Sequence, residues 1–158
     1  MLKIDKKLSV ILSLILTFVC FAGLIYMYFY MPTFTDYLLS LPDYSGKRLD
    51  LSNGAQTAIL VSHYFLLVLA TVAVVLIFFL LRQVIKKVIF SQNTVALIRC
   101  ISWCVLLAGA ILAIEGFLCF EIFIFVGGVI FFMGIAIRVL KNVFEEAVAI
   151  KEENDYTV

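Results

Sequence analysis

The chain is 158 residues long, room for one domain, and 65% of it is hydrophobic against 15% charged. Soluble domains hold roughly 45–50% apolar and about 25% charged residues, so this composition excludes an ordinary water-soluble globule and points to a membrane protein. A net charge of +1 lacks the basic footprint of a nucleic-acid binder, so no direct nucleic-acid contact is expected and the positions of the charges matter more than their sum.

A helix needs about 20 apolar residues to cross about 30 Å of hydrocarbon. Leu8–Met31 supplies the first span without a charge. Lys3, Lys6 and Lys7 ahead of it imitate a signal peptide, but the apolar run exceeds an h-region of roughly 7–15 residues. Val19 is also not the small residue a lipoprotein signal places before its cysteine, here Cys20. The run therefore reads as a retained span. Between Pro32 and Pro42, residues Phe34, Tyr37, Leu38 and Leu41 recur at helical spacing, which predicts a short helix lying on the outer interface. Ser45-Gly46 reads as a turn, and Ser52-Asn53-Gly54 can cap the next helix. Ala58–Leu81 is the second span, with His63 its only ionisable side chain apart from tyrosine.

A basic, amphipathic connector follows over 82–99, where Val84, Ile85, Val88 and Ile89 continue the apolar pattern and Ser91 is an expected N-cap. From Ile101 to Leu140 the chain is mostly apolar for 40 residues. As one helix that would be roughly 60 Å long, twice the bilayer core, so it must fold back. A turn at Cys119-Phe120-Glu121 gives spans of about 101–118 and 122–140 in a tight hairpin. A turn at Gly127-Gly128 would leave the last span short. Lys141–Val158 should extend the fourth span as a helical tail. Leu140, Val143, Phe144, Ala147 and Val148 form its apolar stripe, with Glu145, Glu146, Glu152 and Glu153 mostly off it. Glu-Asn-Asp is expected to end that helix, leaving Tyr156-Thr157-Val158 as a β-prone tail. The predicted fold is thus all-α, a single four-span membrane domain over 1–158 arranged as a four-helix bundle.

Four crossings put both termini on one side of the membrane. Lys3, Lys6, Lys7, Arg82, Lys86, Lys87, Arg99, Arg138, Lys141 and Lys151 fall on that side, against Lys47 and Arg48 on the other. Ten against two is a positive-inside bias that assigns the termini and the connector to the cytoplasm, as expected for a multi-pass protein of a plasma membrane. Tyr26, Tyr28, Tyr30 and Trp103 sit where interfacial aromatics belong.

Ionisable groups inside a bilayer are costly and are candidates for function. Glu115 and His63 fall at similar shallow depth near the outer face, and they form a candidate polar pair if spans two and three adjoin. Such a pair could carry a proton or bind a cation, whereas the plainer reading has each reaching water by itself. Gly109, Ala113 and Gly116 share one face of span three, and Gly127 and Gly134 lie seven apart on span four. Packing within the hairpin explains them, with homodimerisation as the alternative. The six phenylalanines from Phe117 to Phe132 read as lipid-facing or core packing. Cys20, Cys100, Cys104 and Cys119 have neither disulfide nor metal spacing and read as small apolar packers. There is no P-loop, HExxH or GxSxG, and Ser9, Ser13 and Ser62 have no base on their own helix face. No catalytic set, cofactor or metal is therefore expected.

Two short segments carry a likeness. Ile89-Phe90-Ser91-Gln92-Asn93, running into Leu97-Ile98-Arg99-Cys100-Ile101, is similar to the Pro-Phe-x-x-Glu-Asn pattern of the YoaS-like bacterial membrane proteins, a family of unknown function. Lys151-Glu152-Glu153-Asn154-Asp155-Tyr156-Thr157-Val158 resembles that family's acidic tail. The chain departs from the pattern at Ile89 and Gln92. The resemblance implies four spans and suggests small helix-turn-helix regulators as partners, since such regulators are often encoded beside family members. On this basis the sequence predicts a non-enzymatic protein that binds and sequesters a cytoplasmic regulator. Its candidate surface is Arg82, Lys86, Lys87, Asn93, Arg99, Val143, Phe144, Val148, Glu152, Glu153, Asn154, Asp155 and Tyr156. The rival expectation is a small transporter, or an envelope-stress or immunity factor, acting at the outer face.

Overall fold

The computed structural model describes residues 6–41, 51–119 and 121–156. Four helices account for almost all of them: α1 (Lys6–Ser40), α2 (Asn53–Ile85), α3 (Gln92–Leu118) and α4 (Glu121–Tyr156). Each is long and apolar enough to cross a membrane. Inside hydrocarbon no water is present to satisfy a backbone N–H or C=O, and a helix meets that demand within its own segment.

The helix ends follow from local chemistry. Ser52 caps α2 by accepting from the Ala55 N–H at 3.4 Å, and Ser91 caps α3 by accepting from the Thr94 N–H at 3.3 Å, as the sequence led one to expect. The C-terminus of α2 closes through paired bonds, Lys87 N–H to the Val84 carbonyl and Val88 N–H to the Gln83 carbonyl, both at 3.1 Å. That Schellman closure requires a left-handed residue after the cap, and Lys87 takes it with φ of 59°. α3 stops at Leu118 and α4 starts at Glu121, so Gly127-Gly128 lies within α4.

Two boundaries differ from expectation. The separate interfacial helix does not form: α1 runs unbroken through Pro32 to Ser40. Proline removes one helical hydrogen bond, the one its N–H would have made to the Tyr28 carbonyl. The Tyr64 hydroxyl of α2 donates to that same carbonyl at 3.4 Å, so the acceptor is served from the neighbouring helix. At the other end of the chain α4 does not stop at Glu-Asn-Asp but continues through them to Tyr156. Thr157, Val158, Phe120 and the Ser45-Gly46 turn lie outside the described residues.

The helices stand in an open row. α1 packs on α2, α2 on α3 and α3 on α4, and among the described residues no other pair brings its backbones together. The chain exposes 11185 Å², against about 8,000 Å² for a compact soluble protein of this mass. The excess is apolar side chains such as Phe29 and Phe117, which are 83% and 77% exposed and suit a lipid environment.

The tightest seam is between α3 and α4. A methyl group built on Gly109 would come within 2.5 Å of the Phe131 backbone nitrogen, and one on Gly127 within 2.5 Å of that of Ala113. Gly116 meets the Ile124 backbone and Gly134 meets Leu106. The small-residue face of α3 is therefore covered by α4 and is not open to a second copy. The contacts run in reverse order along the two helices, ending in Arg99–Glu145 and Gln92–Glu152. One end of the row carries the α1–α2 loop, called here the loop end. The opposite end carries the 86–91 segment and is the connector end.

Candidate functional site

Polar side chains that are buried among these apolar helices are few, and three of them meet near the loop end together with the half-buried Ser62. α1 contributes Thr35 because it continues past Pro32. α2 contributes Ser62 and His63 from consecutive positions, and α3 contributes Glu115. The relative exposures of Thr35, His63 and Glu115 are 2%, 4% and 7%. The Thr35 hydroxyl lies 2.9 Å from His63 Nδ1, and His63 Nε2 lies 3.5 Å from Glu115 Oε2. The Ser62 hydroxyl donates to Glu115 Oε1, and Phe34 tilts against the imidazole with ring centroids 6.3 Å apart. Glu115 Oε2 itself is buried and accepts no hydrogen bond.

The structure thus places His63 beside Glu115, and it adds two groups that sequence reasoning missed. Ser62 has its partner on a different helix, which a search along its own helix face cannot find. Thr35 was hidden because residues 34–41 were expected on the membrane surface. One level down the same α1–α2 seam, the Tyr28 hydroxyl meets Thr71 Oγ1 at 3.3 Å. Beside the cluster a shallow groove of about 590 Å³ opens between α2 and α3, with Ser62, Val61 and Ile111 in its wall. Among the described residues no group of three or more metal-ligating side chains occurs. The four cysteines are free thiols, and all are exposed or half-buried.

The second candidate area is at the connector end. The last turns of α4 lie on the start of α3, through Gln92 donating to Glu152 at 3.2 Å and Arg99 to Glu145 at 3.1 Å. Lys141 reaches the other Glu145 oxygen at 2.6 Å. Phe90 stacks on Phe144 with centroids 6.0 Å apart, and Val148 is 1% exposed. Phe144 and Val148, expected on the partner-facing stripe, are therefore engaged within the chain, because the first turns of α3 and the connector lie over that side of α4. Val143 is exposed, as are Arg82, Lys86, Lys87, Asn93, Arg99, Glu152, Glu153 and Asn154. Asp155 and Tyr156 belong to α4, but their side chains lie outside the described set. The Glu145 carboxyl is held below its ordinary value, first by the hydrogen bond from Lys141 and then by the charges of Lys141 and Arg99. An apolar groove of about 340 Å³ adjoins this area, bounded by Leu80 and Val84 of α2, Ile98 of α3 and Ile137 of α4.

Four long apolar helices with a buried polar joint define a multi-pass helical membrane protein. Within that class the chain belongs to a family of proteins of unknown function (DUF2975), whose pattern matches residues 5–158. No curated protein and no solved structure matches it.

Proposed function

We propose that the chain is a non-enzymatic plasma-membrane protein that binds and sequesters a cytoplasmic partner at its connector end. In this reading both termini and the connector are cytoplasmic, α3 and α4 form a transmembrane hairpin, and the loop end faces outward. The observation that carries the reading is the length and order of α4. It continues beyond Leu140 to Tyr156 as a helix braced on α3, although Glu121–Leu140 alone is long enough to cross. Anchoring does not need those further turns; a rigid docking platform does. Because Phe144 and Val148 are occupied internally, the partner surface is the charged one: Arg82, Lys86 and Lys87 on one flank, Asn93 and the Glu152–Asn154 turn on the other. A groove of about 360 Å³ lies beside that turn, lined by Phe90, Ala147, Ile150, Lys151 and Asn154. The resemblance to YoaS-like proteins makes a small helix-turn-helix regulator the partner class to test first.

The test is affinity capture in mild detergent with the full-length chain and with a chain lacking Asn154–Val158. The truncation leaves all four spans in place. Recovery of a helix-turn-helix protein with the first chain and its loss with the second, at nearly equal thermal stability, is the expected result. If the full-length chain recovers no soluble protein and the truncation lowers stability, the tail is a brace and the reading fails.

A second reading, a small transporter or an envelope-stress or immunity factor acting at the outer face, draws support from the buried His63–Glu115 joint at the loop end. A transport path would need polar groups through the midplane as well. The other buried polar side chains among the described residues are Thr94 and Ser102, which sit toward the connector end of α3.

A further inference from the structure

Glu115 and His63 cannot be understood one at a time. A carboxylate in this position beside a neutral imidazole would put a net negative charge in a buried, low-dielectric site, an arrangement proteins avoid. Among the described residues no lysine or arginine pairs with Glu115. The other titratable groups on the surrounding helices do not supply a positive charge either. Cys119 lies one turn beyond Glu115 and is half-buried. Tyr64 gives its hydroxyl to the Tyr28 carbonyl, and the Tyr28 hydroxyl is engaged with Thr71. Asp36, next to Thr35, is exposed, and so is Glu121 at the start of α4.

One proton added to the imidazole changes the charge, while the contacts stay those open to a neutral ring protonated at Nε2. The pair becomes neutral as a whole. The ring cation then stands 3.5 Å, an ion-pair distance, from Glu115 Oε2, the buried oxygen that accepts no hydrogen bond, and Nδ1–H has Thr35 Oγ1 as its acceptor. The Ser62 hydroxyl already donates to the remaining carboxylate oxygen. The buried carboxylate then has a compensating charge beside it, which is the condition for burying an ion.

We propose that Thr35, Ser62, His63 and Glu115 form a proton-binding site, with the bound proton on His63. Those residues come from α1, α2 and α3, so the proton joins three helices at one point. Removing it leaves a bare carboxylate facing a neutral ring and removes the charge attraction between α2 and α3 at the loop end, with the Ser62–Glu115 hydrogen bond still joining them. This site is separate from the connector end, and its assignment stands whether or not a cytoplasmic partner binds there.

The chain has a single histidine, so one labelled imidazole reports the site directly. The full-length protein, ¹⁵N-labelled at histidine and placed in lipid nanodiscs, is measured by nuclear magnetic resonance at pH 8, where a freely solvated imidazole is largely neutral. The expected spectrum is that of a doubly protonated ring, and Glu115→Gln is expected to convert it to a singly protonated one. Ser62→Ala, which keeps both charged partners, should retain the doubly protonated signal if Glu115→Gln fails to fold. A singly protonated ring in the unaltered protein at pH 8 overturns the proposal. So does a doubly protonated ring that survives Glu115→Gln, or one that turns neutral when sodium or potassium is added, which would assign the site to a metal cation.

Discussion

Pro32 costs α1 one hydrogen bond, and Tyr64 returns a partner to the carbonyl concerned. That substitution of one donor for another is testable by a double-mutant cycle in detergent. Tyr64→Phe should lower stability by about 1 kcal/mol in the native background. In a Pro32→Ala background, where residue 32 has its own N–H, the same change should cost less. Equal costs in both backgrounds would show that the tyrosine hydroxyl does not serve the orphaned carbonyl. The buried pair allows a similar cycle. Glu115→Gln should destabilise the fold by about 1–3 kcal/mol, and its effect should not add to that of His63→Ala. Strict additivity would mean that each residue is solvated independently. At Lys87 the strain is in the backbone: a left-handed lysine is less comfortable than a glycine there, so Lys87→Gly should raise the melting temperature, by the equivalent of about 1 kcal/mol.

Between elements, the α3–α4 seam is set by backbones at van der Waals distance, with glycines admitting the approach. Gly109→Ala and Gly127→Ala should each destabilise by about 1–3 kcal/mol, because the intruding methyl meets backbone and not a movable side chain. Gly128→Ala, with open space around it, should be neutral or slightly stabilising, and this contrast separates packing from helix propensity. Thermal unfolding in one detergent measures all three. The Glu145 bridges are exposed and respond to pH. Because its carboxyl titrates below the ordinary value, the stabilisation they give is complete at neutral pH and is lost as acid takes the pH down through that lowered value. A carboxyl titration followed by ¹³C resonance should show the midpoint of Glu145 rising in Lys141→Gln. A smaller rise is expected in Arg99→Gln, and no rise in Lys141→Gln would remove Lys141 as the main cause.

For the molecule as a whole, orientation is the expectation with the widest reach. With native cysteines removed, Ser45→Cys should label from outside intact cells and Ser91→Cys only after permeabilisation; the reverse pattern would invert the assignment drawn from lysine and arginine placement. The four helices and the caps at Ser52 and Ser91 were legible because hydrophobic runs, N-cap residues and charge breaks are local signals. The Thr35–His63 and Ser62–Glu115 bonds were not, since they depend on which helices stand side by side. The unbroken α1 was missed for a related reason: proline is a reliable stop signal only when no neighbour offers a substitute donor. The open row has its own consequence for biosynthesis. Among the described residues each helix brings its backbone close only to the helices next to it in the sequence, so nearly every such pairing can form as soon as the later partner leaves the ribosome. A nascent chain halted after α3 would already hold Thr35, Ser62, His63 and Glu115, and could close that joint before α4 is made.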